Sequence, residues 1–524
     1  MAINLNHNHR QLSALDGAGE LVFMAARKLS RINPDLLLVA TAALLAISSF
    51  AFGERVAMRD GLGWDGEVYW TWVKDLPFEF REAGVDAYRI QRILPSSILY
   101  CVFRIFRIPG TVPNTLVGFA VINSISVSLV AYFWCLTANH FKISTRGKWL
   151  GFIGLFLNFA ILKLSGYYVV LIDVHAFACA SAMSYCYATR NRVGMWITTV
   201  IGAFLWPTMI FVGTTLSMFP RRLDLKDQDS SSCEDATEAV IDNSDAHAPF
   251  RLDLILAALI AYYSCVWCYF ASSQLTMPLF GGLWPIRSVL GLSLFISTAY
   301  IFLGYRPLLD DPQLYKFSNW FPRTELVWMV CTILVMFGVK YFQTRFSNRP
   351  GYFGFNNHFL VVGITAVAKP GLFYLSHLIY FGPFWMLAAA FWPSICREIH
   401  RQKGIGLVLA LMIGMGHSLG AESRHIIEFL PLLMPYAIIT VERLALSSTQ
   451  LGFLAAISVL TSKCWLYIGG PFHDNANIFP DQLFWMNVGA FMTDQTYVWQ
   501  LACAVVCAFV MSLMLRPARP RLYA

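Results

Sequence analysis

A chain of 524 residues that is 57% hydrophobic and only 13% charged, carrying 16 Trp, 22 Tyr and 41 Phe, is too apolar for a soluble globular protein. Its formal net charge of +8 calls for no nucleic-acid partner: the basic residues bunch beside apolar runs, at Lys28 and Arg31, 142–148, Arg190 and Arg192, Arg221 and Arg222, 397–403 and 516–521. Most of the 12 cysteines lie in apolar runs, Cys265 and Cys268 among them, and read as packing residues rather than disulfides or a zinc site.

Lipid cannot satisfy open backbone groups, so these apolar runs imply an all-α, polytopic transmembrane helical bundle of about 10 to 13 membrane helices, half-helices included. Residues 1–34 form a cytoplasmic N-terminal segment. The first span, 36–52, follows about thirty polar residues with no small-residue cleavage site behind it, so it stays as an anchor. The basic clusters put both termini in the cytoplasm and make 53–110 the first extracytoplasmic loop of an N-terminal membrane half, 35–219. That loop holds "GWDGEVYW", with Asp65 and Glu67 among aromatics, and "YRIQRILP", which sets Tyr88 and Arg92 four apart and Arg89 and Arg92 three apart. A tight turn at Gly66 would present Asp65. Residues 93–106 read as a helix lying in the membrane interface.

The chain returns through 115–136, goes out through 149–164 and comes back through 169–188, where Asp173 and His175 sit a few residues inside a span. A lone charge there costs on the order of 2.5 to 3.5 kcal/mol at the centre of a helix, so a bonded partner or a polar cavity is implied. Residues 195–219, with arginines at both ends and a break at Trp206-Pro207, read as two half-helices opening to the cytoplasm. An acidic, Ser-rich stretch at 220–250 reads as a flexible cytoplasmic loop.

The second membrane half, 251–515, carries spans at 252–271, 286–304, 325–342, 371–395, 405–416, 427–446, 450–468 and 497–515, followed by a cytoplasmic tail, 516–524. Lys340, Arg345 and Arg349 favour the cytoplasm, which leaves the sidedness of 272–370 open. Counting back from the C-terminus puts "GHSLGAESRHIIEF" on the face of Asp65, and with it Glu422, Arg424 and His425. His358 and His377, isolated in apolar surroundings, read as bonded packing residues. HExxH and P-loop patterns are missing from the sequence.

One span, an outer loop with an aromatic-flanked Asp-Gly, then Tyr-Arg with a second arginine and a proline before an interfacial helix: this order resembles the GT-C superfamily of polytopic membrane glycosyltransferases that depend on polyprenyl-phosphate sugars. "YRIQRILP" is similar to the tyrosine-arginine segment of many bacterial members. The break in "FLWPTMIFVG" looks like their half-helix pair, although they commonly have Arg-Pro where this chain has Trp206-Pro207. "ESRHIIEFLPLLMPY" resembles their late arginine segment. The resemblance implies that Asp65 is the catalytic base, with Glu67 as a second carboxylate, and that Arg424 contacts phosphate.

Such an enzyme would move a sugar from a polyprenyl-phosphate donor to a glycan or lipid acceptor. Tyr88, Arg89, Arg92, Asp173, His175, Glu422, Arg424 and His425 would bind substrate and phosphate, with membrane lipid and no nucleic acid as further partners. A divalent metal is compatible with the family, but Asp65 and Glu67 alone do not make an octahedral site, and no cofactor is assigned. The absence of any Asn-x-Ser/Thr sequon favours a bacterial inner membrane with the site facing the periplasm. The alternative from another class is a transporter or flippase of a lipid-linked or anionic solute, with Asp173 and His175 relaying protons.

Overall fold

The computed structural model describes residues 33–221, 290–316, 320–321, 325–348, 362–363, 365–402, 404–469, 489 and 492–515. The expected N-terminal segment, the acidic loop, the span at 252–271, His358, most of the loop at 469–495 and the basic tail lie outside the described residues. Among the described residues the regular structure is helical, without a β-strand. Five helices are long and apolar enough to cross a membrane, or six if the bent pair Thr145–Phe156 and Ala160–Tyr167 counts as one span, and six shorter apolar helices accompany them. This is the build of a multi-pass membrane protein.

The first helices define two ends. Helix α1 (Pro34–Phe52) starts at Asn33, whose side chain accepts from the Asp35 amide. Helices α2 (Gly66–Phe78) and α3 (Leu94–Ile105) follow within the first loop, and α4 (Val112–His140) leads away from it. Asp35 pairs with Lys148 at 2.5 Å and accepts from Asn139 at 2.8 Å, so the start of α1 and the end of α4 share one end, called the basic end below. The first loop occupies the other, where the Trp70 indole donates to the Gly110 carbonyl. Along α4, Val117, Val121, Ile125 and Leu129 form an exposed stripe four residues apart, a surface suited to lipid rather than water.

Helix α5 (Thr145–Phe156) breaks at Asn158, whose amide nitrogen donates to the Gly154 and Leu155 carbonyls while its oxygen accepts from Ile161. The 57° bend directs the chain to Tyr167 and Tyr168. Helix α6 (Asp173–Ala188) is the central helix: every residue but Tyr185 is buried, and its many Ala and Ser let neighbours approach closely.

Helices α7 (Arg192–Gly202) and α8 (Met209–Met218) form a hairpin around Trp206 and Pro207. The halves touch along their length: a Cβ on Gly213 would sit 2.3 Å from Thr199 Oγ1, and one on Gly202 2.9 Å from Met209. Both outer ends of the pair therefore lie at the basic end and the Trp206 tip points toward the first loop.

In the second half, α9 (Leu290–Leu309) and α10 (Leu326–Phe346) are long. Helix α10 settles a question that charge alone leaves open. Its start is tied to the basic end by Glu325 and Arg192 at 2.7 Å, and beyond its end Asn348 accepts from the Val85 amide at 2.7 Å. Lys340 and Arg345 thus lie toward the first-loop end, with Lys340 donating to Gln91, against the expectation drawn from charge bias. The single span expected at 371–395 is a correction: the structure has three short helices, α11 (Leu372–Phe381), α12 (Pro383–Ala390) and α13 (Trp392–Arg401). The cause is Gly382-Pro383, where Gly382 takes φ 75° and proline bars a continuing helix. Helices α14 (Ile405–His417), α15 (Phe429–Glu442), α16 (Ser448–Thr461) and α17 (Asp494–Met514) complete the described chain.

Candidate functional site

The site is built where the first loop meets the ends of α5 and α6, the hairpin tip and the segment between α14 and α15. The approach to Asp65 is a run of left-handed backbone: Arg59 and Asp60 have φ 53° and 56°, Gly61 and Gly63 97° and 67°. The glycine that turns the chain is therefore not Gly66, a correction to the sequence reading. Gly66 is already the first residue of α2, and it is small because Val170 crosses there: a Cβ would lie 2.5 Å from its Cγ2. Asp65 caps α2, and its amide donates to the Tyr168 hydroxyl at 2.7 Å. The Asp65 carboxylate is half-exposed and forms no ion pair among the described residues.

Arg92 is the counterpart of Asp65. Its 3-10 turn, Arg89–Arg92, carries the guanidinium inward, between the Tyr88 ring at 4.2 Å and the Trp206 ring at 4.3 Å. The side chain is 2% exposed, its Nε has no hydrogen-bond partner, and it forms no ion pair among the described residues. A buried cation without a carboxylate is costly, and two aromatic faces supply part of the compensation. Neighbouring Arg89 turns the other way, to Asp86 at 3.4 Å, and is half-exposed.

The third contribution comes from the short helix Ser423–Ile426. Arg424 Nε donates to Glu422, and His425 Nε2 lies 3.6 Å from the same carboxylate with its ring against Trp206 at 5.7 Å. Burial raises the Glu422 carboxyl, but Arg424, His425 and the hydrogen bond outweigh it and hold Glu422 down, from an ordinary 4.5 to about 2. Its folded value lies below its unfolded one, so the charged form contributes stability above pH 4.5 that is lost as the pH falls toward 2. The melting temperature of the purified protein should therefore drop between pH 5 and pH 3, and Glu422→Gln should start lower at pH 7 and fall less over that interval. An equally steep drop in the variant would assign the acid sensitivity elsewhere.

Asp173, at the start of α6, is buried with both carboxylate oxygens lacking hydrogen-bond partners, and it lies within electrostatic range of Arg424, Arg92, Glu422 and Asp65. Thus Asp65, Tyr88, Arg92, Asp173, Glu422, Arg424 and His425 share one cluster, although they come from four separate stretches of sequence. Three residues named with them do not join it. Glu67 is exposed and pairs with Arg59 at 2.6 Å, Arg89 pairs with Asp86, and His175 hydrogen-bonds Ser126 Oγ on α4 at 2.7 Å.

Other members were not among the expected site residues. Tyr69, Tyr168 and Tyr380 each lie within range of these charges, Trp206 stacks on Arg92, and Glu428, fully buried, accepts from Thr208 just beyond the hairpin tip. Trp206 had a signal in its place at the helix break, and Tyr69 and Glu428 in the motifs that hold them; Tyr168 and Tyr380 had none. His377 is held by Ser423 Oγ at 3.0 Å and the Ser418 carbonyl at 2.7 Å, a packing histidine behind the Arg424 turn. Among the described residues no three His, Cys, Asp or Glu form a metal-ligand set.

The cluster offers an accessible carboxylate, a buried guanidinium free of carboxylate, and hydroxyls between them. The chain matches no known protein family, no curated protein and no solved structure.

Proposed function

We propose that this protein is a membrane glycosyltransferase of the GT-C kind, moving a sugar from a polyprenyl-phosphate donor to a glycan or lipid acceptor on the extracytoplasmic face of a bacterial inner membrane. The observation that carries the reading is the presence of Asp65 and Arg92 in one cluster at one end of the bundle: a partly exposed carboxylate within electrostatic range of a buried cation that has no carboxylate partner among the described residues. Asp65 takes the proton of the acceptor hydroxyl as that oxygen bonds to the anomeric carbon. The bond from that carbon to the phosphate oxygen breaks, and polyprenyl phosphate leaves with the electron pair. Charge grows on the phosphate as this happens, and Arg92, with Arg424 behind it, faces that charge. Tyr88 and Trp206 fix the guanidinium plane.

The reading is tested by incubating the purified protein with a panel of polyprenyl-phosphate sugars and measuring released polyprenyl phosphate. Release with at least one donor is expected, and it should stop in Asp65→Asn. No release from any donor, with the protein folded, would remove the assignment. Proton-coupled transport remains the second reading because of the unpartnered Asp173 carboxylate. It would be favoured by a pH-driven flux of anionic solute in vesicles that survives Asp65→Asn and is lost in Asp173→Asn.

A further inference from the structure

A second feature lies at the basic end, across the membrane from Asp65. Between the start of α7 and the start of α10 is a shallow, half-open recess with an enclosed space of about 20 Å³, room for about one water, lined among others by Arg190, Asn191, Arg192, Trp196, Ser217 and Trp328. Its two arginines differ. Arg192 is neutralised by Glu325 at 2.7 Å and lies over the Trp328 ring at 5.0 Å, whereas Arg190 has no ion pair among the described residues and a buried Nε without a hydrogen-bond partner. Among the described residues no carboxylate lines the recess.

The walls fit a lipid. The Trp196 and Trp328 rings meet at 4.8 Å one turn or less from the ends of their helices, the depth at which indoles prefer the membrane–water boundary. The Trp196 indole donates to Thr332 at 2.9 Å, which holds α7 to α10 below the recess. The outward faces of the same two helices are apolar: Val193, Ile197 and Ile201 on α7 and Val327, Val330 and Leu334 on α10 are each at least 41% exposed. A phosphate on Arg190 would leave acyl chains lying along these residues.

We propose that the headgroup of an anionic phospholipid seats at the open mouth of this recess, with Arg190 holding the phosphate. A zwitterionic headgroup would bring an ammonium that no lining carboxylate can meet, while a glycerol headgroup finds hydrogen-bonding partners in Asn191 and Ser217.

Native mass spectrometry of the full-length protein in detergent, titrated with phosphatidylglycerol and phosphatidylcholine of identical chains, tests this. One phosphatidylglycerol should bind about tenfold more tightly than phosphatidylcholine, a difference of about 1.4 kcal/mol. Arg190 has φ 57°, a conformation asparagine tolerates, so Arg190→Asn removes the charge with little backbone cost and should abolish the preference, while Arg190→Lys should keep most of it. Equal binding of the two lipids, or an unchanged preference in folded Arg190→Asn, would overturn the proposal. Displacement of phosphatidylglycerol by inorganic phosphate at comparable concentration would overturn it too, because the chains would then contribute nothing.

Discussion

Asp65→Asn is expected to lower sugar transfer by roughly 10²- to 10⁴-fold, the range general-base catalysis supplies, while the protein keeps its helical content and its affinity for polyprenyl phosphate. The substitution preserves shape and the backbone contact to Tyr168, because that bond uses the Asp65 amide and not its side chain. What it removes is the proposed proton acceptor. Glu67 cannot replace it: that carboxylate is exposed and engaged with Arg59 at 2.6 Å, on the outer side of α2. Accordingly Glu67→Gln should change the rate by less than about fivefold, since exposed ion pairs contribute at most about 1 kcal/mol. Initial rates of polyprenyl phosphate release decide the matter, and near-normal turnover in Asp65→Asn would end the case for Asp65 as base.

The second large effect is expected at Arg92. Arg92→Ala should cost roughly 10²- to 10³-fold in turnover, comparable to deleting one preorganised donor to a developing negative charge. Arg92→Lys should recover little of this. Lysine keeps the charge, but its compact ammonium cannot fill the slot between the Tyr88 and Trp206 rings with a planar fork. Arg89→Ala should stay near wild type, its side chain being turned to Asp86 and half-exposed. Full rescue by lysine, or equal losses at the two arginines, would mean that charge density and not the held guanidinium matters.

The two arginines show what a sequence reveals and where it stops. "YRIQR" places two cations three residues apart, and on a regular α-helix both would face one way. The segment winds as a 3-10 turn, in which residues three apart also share a face, so the contacts and not the winding separate them: Arg92 is drawn in between the Tyr88 and Trp206 rings while Arg89 goes to Asp86. Charge pattern, helix breaks and apolar runs made the spans near 36–52 and 115–136 and the break at Trp206 readable. The stretch 371–395 reads as one span by hydropathy because a window average is blind to a single Gly-Pro step. Tyr168 and Tyr380 were invisible for another reason: in a chain with 22 tyrosines, only the tertiary fold distinguishes those beside the cluster. The sidedness of α10 was hidden as well, since contacts of Lys340 and Asn348 with the first loop overrule the bias of its basic residues.

The stacking of Arg92 between two rings has a consequence for how an anion arrives. Had the guanidinium been held by a carboxylate, an incoming phosphate would first have to displace it. Ring faces hold the plane of the cation and the neutral Tyr69 hydroxyl bonds its edge, so a phosphate meets a buried donor already oriented, with no ion pair among the described residues to break on the way in.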